Sequence, residues 1–65
     1  MALNTAPNIS DPDGFYAELL GTHEGLSDEA STALNARLVL ILANHIGDRA
    51  VLTEALAAAS KAGAS

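Results

Sequence analysis

Cysteine and tryptophan are absent from this chain of 65 residues, and phenylalanine and tyrosine occur once each. Without cysteine there is no disulfide framework and no thiolate metal site to stand in for a core. Bases are scarce as well, three against eight acids, for a formal charge of -5. Three bases cannot build the positive patch that phosphate backbones or anionic lipid surfaces require, so neither nucleic acid nor a membrane is expected as a partner. The longest run of large aliphatic side chains, Leu38 to Leu42, is far below the ~20 residues needed to span a bilayer. The N-terminus has neither the basic region nor the apolar core of a secretory signal, and the expected location is cytoplasmic. β-branched residues are few and nothing alternates, which argues against strands. There is no glycine-rich phosphate loop and too little chain to enclose a substrate.

What the chain does have is concentrated between Leu34 and Gly47, a stretch with about half of the large aliphatic side chains and a single charged residue, Arg37. Wound as a helix at 100° per residue, Leu34, Leu38, Val39, Ile41, Leu42 and Ile46 fill an arc of roughly 160°, with Leu40 outside it. That arc is wider than the ~100° stripe of an ordinary surface helix, so more than one side of this helix is expected to be covered. Only fifteen large apolar residues lie between Phe15 and Leu56. A lone monomer of this size is marginal, and self-association or a larger protein partner is the natural way to add buried area.

In chain order, residues 1–10 show no period and read as a flexible arm. Asp11-Pro12-Asp13 is a helix start: a capping carboxylate, a proline at the first helical position and an acid at the positive dipole end. It opens a helix over 12–23 with Phe15, Tyr16, Leu19 and Leu20 as its buried stripe, slightly weakened by Gly14. Gly25 suits the left-handed residue after a helix, and Ser27-Asp28-Glu29 opens the central helix over 28–46. Gly47 ends it. Asp48 caps a third helix over 49–61, whose inward side is Val51, Leu52, Ala55, Leu56 and Ala59, and 62–65 is a frayed tail. The fold expected is all-α, a helical hairpin or three-helix unit within a single domain over 11–61, completed by oligomerisation or a partner.

Few residues suggest chemistry. His45 falls inside the apolar arc, where it is either a buried acid-base group or a histidine placed at a helix C-terminus, where a cation is favoured. Asn44 and Asn35 are poor helix formers in a long helix and suit hydrogen bonds across an interface. Arg37 can clamp a partner's carboxylate or pair with Glu18, Glu29 or Asp48. His23, Glu24 and Asp28 match no zinc or calcium spacing, so no metal and no cofactor is expected. Ser27 is explained by its capping role, and Leu26-Ser27-Asp28 is not the Asp-Ser-Leu of an acyl carrier protein. No catalytic residue stands out. The interaction surface is expected at Leu34, Arg37, Leu38, Ile41, Asn44 and His45.

The runs Asp11-Pro12-x-x-Phe15-Tyr16-x-x-Leu19-Leu20, His23-x-Gly25-Leu26-Ser27, Leu34-Asn35-Ala36-Arg37-Leu38 and Leu42-Ala43-Asn44-His45-Ile46-Gly47-Asp48 resemble a short bacterial family classed as a domain of unknown function. Members of that family are often encoded beside flavin-dependent hydroxylases of aromatic breakdown. The resemblance implies a small, non-catalytic accessory subunit that docks on an oxidoreductase, with Arg37, Asn44 and His45 at the polar centre of the docking surface. The alternative is a self-associating homo-oligomer that binds a small, possibly aromatic, ligand between its helices.

Overall fold

The computed structural model describes residues 2–63. Three helices follow one another, α1 (Pro12–His23), α2 (Asp28–Ile46) and α3 (Arg49–Gly63), and the described residues contain no strand. Both ends of α1 and α2 and the start of α3 fall where the capping residues place them. α3 continues two residues past the expected end, because the alanine-rich sequence after Leu56 is a strong helix former and supplies no stop before Gly63. Ala62 and Gly63 of the frayed tail expected over 62–65 are thus part of α3, and Ala64 and Ser65, like Met1 of the arm, lie outside the described residues.

The starts of all three helices and the ends of α1 and α2 are closed by their own neighbours in sequence. The Asp11 carboxylate accepts from the Gly14 amide at 3.2 Å, with Pro12 at the first helical position. Asp11 itself is left-handed, at φ 49°, an unusual setting for a capping residue that asparagine and aspartate tolerate best. Ser27 Oγ accepts from the Ala30 amide at 3.1 Å and opens α2. Gly47, at φ 75°, closes α2 through its own amide, which donates to the Ala43 carbonyl at 2.9 Å. One residue later Asp48 Oδ1 accepts from the Ala50 and Val51 amides at 2.9 and 3.3 Å, so α3 starts almost where α2 stops.

That corner holds the single buried residue among those described, Val51, at 8 % exposure. Of the helix pairs, α2 and α3 touch most, and they touch lightly. Along α2 the half-buried positions Ala30, Leu34 and Leu38 recur every four residues on one line, with Ser31 beside it. On α1 only Leu19 and His23 are half-buried; Phe15, Tyr16 and Leu20, expected in the buried stripe, are exposed. The N-terminal arm runs back to α3, where the Leu3 amide donates to Glu54 Oε2 at 3.3 Å.

The outcome is an open molecule. Its radius of gyration is 13.4 Å, against about 10.7 Å for a compact domain of this length.

Candidate interaction surface

α2 is about 28 Å long at 1.5 Å per residue, and none of its nineteen residues is buried. Its centre is the most open part: Val39 is 59 % exposed, Leu40 70 % and Ile41 65 %. Three consecutive large aliphatic residues span about 200° around a helix, so exposure of all three leaves most of the centre open, apart from the half-buried line of Leu34 and Leu38.

Two exposed faces result, on opposite sides of α2, one apolar and one mixed. Val39, Leu42 and Ile46 share one side of the helix and recur at spacings of three and four residues. Together with Leu40 and Ala43 of α2, and Leu52, Ala55, Leu56 and Ala59 of α3, they line a groove of about 540 Å3 between the two helices. Its polar lining is Arg49 and Thr53. The Thr53 hydroxyl donates back to the Arg49 carbonyl at 3.0 Å, so its hydrogen-bonding need is met within α3. Leu56, expected to face inward, is 69 % exposed. It stands on the groove wall, where none of the described residues crosses over to cover it.

The other face carries Arg37, Ile41 and Asn44, within roughly 60° of one another on the helix. All three are exposed, and among the described residues neither Arg37 nor Asn44 has a side-chain partner. Arg37 thus pairs with none of Glu18, Glu29 and Asp48. His45 is exposed near the C-terminal end of α2 rather than buried in an apolar arc. Leu34 and Leu38, the remaining expected interaction residues, are half-buried.

Of the six residues expected at the interaction surface, Arg37, Ile41, Asn44 and His45 are exposed and Leu34 and Leu38 half-buried, while the groove is lined chiefly by other residues of the apolar arc and by the inward side expected of α3. Val39, Leu42 and Ile46 carry a legible signal, the 3-4 spacing of a helix seam. Leu52, Ala55, Leu56 and Ala59 carry one too, as the inward side expected of α3, but which side of α2 they meet depends on how α3 folds back.

No group of three or more His, Asp or Glu side chains among the described residues is placed to hold a metal ion. No helix among them is long and apolar enough to cross a membrane.

A small all-α chain with capped helix ends and uncovered helix sides is the class these features define. Residues 3–61 match the family described as "Protein of unknown function (DUF2783)", and the chain belongs to that family. Neither the curated proteins nor the solved structures contain a match to it.

Proposed function

We propose that the chain is a non-catalytic helical interaction protein, an accessory subunit that docks on a larger enzyme through the Arg37 face of α2. The observation that carries this reading is the pairing of Ile41 with an unpaired Arg37 and Asn44 on one exposed side of the helix. An apolar anchor beside a planar, multidentate cation and an amide is the composition of an interface centre, where arginine and large apolar groups contribute most of the binding energy. The partner class follows from the family resemblance: an oxidoreductase, specifically a flavin-dependent aromatic hydroxylase.

The test is a titration of the fluorescently labelled chain with a purified flavin-dependent aromatic hydroxylase from the same genome. Saturable binding is expected, weakened about tenfold or more by Arg37→Glu as a buried charge partner is reversed. Absence of binding at micromolar concentrations, or binding indifferent to both Arg37→Glu and Ile41→Glu, would overturn the reading.

A second reading has its own support in the groove between α2 and α3. Apolar walls and a volume of about 540 Å3 are in the range that holds small molecules, so an aromatic ligand is the alternative occupant. It predicts that such a ligand raises the melting temperature of the purified chain without changing its mass in solution.

A further inference from the structure

We infer that the groove between α2 and α3 is closed by the same groove of a second copy, so that four helices, two from each chain, enclose one apolar core. This deepens the reading of the chain as an interaction protein and uses the side of α2 opposite to Arg37.

The first argument is area. The chain exposes 5567 Å2, whereas a folded monomer of 6.6 kDa exposes about 3,900 Å2 by the scaling of surface with mass. The surplus is about 1,700 Å2 per chain, within the roughly 1,000–2,500 Å2 that each subunit of an obligate homodimer buries. The arm, α1 and both faces of α2 share this surplus, which leaves room for one isologous interface of standard size, about 800 Å2 per partner, over the groove.

Shape is the second. An isologous contact must be complementary to itself, so the same surface has to offer both projections and recesses. The groove does so: Leu40 and Leu56 are its most exposed projections, and the alanines Ala43 and Ala55 leave room between them. Large residues of one copy opposite small residues of the other is the arrangement that fills a helix-bundle core without voids. A helix pair with an apolar groove facing outward is half of a four-helix bundle.

Charge is the third. A protein of net charge -5 repels its own copies unless its acids stay apart. Six of the eight acids lie in residues 11–29, residues 30–47 have none, and no acid lines the groove. Pairing through α2 and α3 therefore brings no two carboxylates together in a dry core, where an unpaired charge is very costly, and Arg49, the one charged residue of the lining, sits at the first position of α3 and is exposed.

The test takes the full chain in isolation. Light scattering after size exclusion is expected to give twice 6.6 kDa. A sample mixed from isotopically labelled and unlabelled chains is expected to show intermolecular nuclear Overhauser contacts among the methyls of Val39, Leu40, Leu42 and Leu56. Leu42→Glu should raise the dimer dissociation constant about a hundredfold or more, as loss of a central anchor does. A folded monomer would overturn the inference, as would an unfolded chain, which would assign the groove to a different protein. Intermolecular contacts confined to Phe15, Tyr16 and Leu20 or to Ile41 would also overturn it. So would a monomer stabilised by an aromatic probe such as benzoate. The two proposals fail separately: a monomer that still binds the hydroxylase removes the second copy and keeps the docking subunit, and a dimer that ignores the hydroxylase does the reverse.

Discussion

The corner between α2 and α3 and the middle of α2 lie only two or three helical turns apart, yet they are built on different terms. At the corner, Gly47, Asp48 and Val51 close one helix, open the next and bury a side chain within five residues. In the middle of α2, Val39, Leu40 and Ile41 form as regular a helix and leave their side chains in water. The difference teaches that this chain determines its helix ends locally and leaves the sides of its helices to other surfaces. Ends need only a glycine, a carboxylate or a hydroxyl three residues away. Sides need a second layer, and three short helices cannot supply it.

The comparison breaks first at Val51. Val51→Ala removes about 2 kcal/mol, two methyl groups of burial together with part of a cavity, and should lower the denaturation midpoint while leaving the mass in solution unchanged. Leu40→Ala, at a position open to solvent within one chain, should do the opposite and shift the mass far more than the midpoint at saturating concentration. If the two substitutions act alike in both measurements, corner and centre do not differ in kind.

Gly47 gives the next largest effect. Its φ of 75° is the reason for glycine there, since a Cβ would meet only the Asn44 carbonyl at an ordinary 3.8 Å. Gly47→Ala should therefore cost about 1–2 kcal/mol through backbone conformation alone, read from thermal unfolding followed by circular dichroism.

Gly14 gives the smallest effect and the sharpest one. A Cβ at Gly14 would collide with the Asp11 carboxylate that caps α1. The gain in helix propensity from Gly14→Ala, about 1 kcal/mol, is then offset by loss of a cap worth about as much. The net change is expected to be close to zero in the native sequence. In an Asp11→Ala background the cap is already gone, so the same substitution should stabilise by nearly the full propensity difference. A double-mutant cycle measured by chemical denaturation checks this.

These contrasts explain which parts of the protein were legible in its sequence. The starts of α1, α2 and α3 were readable from Asp11-Pro12, Ser27 and Gly47-Asp48 because a cap acts over two or three residues. Gly14 was legible only as a weak helix former. Its fit beneath the Asp11 carboxylate depends on the left-handed backbone at Asp11, which composition does not announce. The excess of apolar surface on α2 was also legible, from an arc too wide for one neighbour. Its division into a groove face and an Arg37 face was not, because a helical wheel is blind to where α3 returns. Leu40, placed outside the arc by angle, lines the groove because α3 brings Leu52 and Leu56 alongside. The family membership was visible in the residue pattern itself, and it carries no activity with it.

The hydrogen bond from Leu3 to Glu54 has a kinetic consequence. It joins residues 51 positions apart, and closing a flexible loop of that length costs about 3.5 kcal/mol before any constant term. An exposed hydrogen bond returns about 1 kcal/mol. The arm can therefore settle on α3 only after the helices between them have shortened the path. In hydrogen exchange, the Leu3 amide should be the last to gain protection during folding and the first to lose it, a local clock for the order in which the chain assembles.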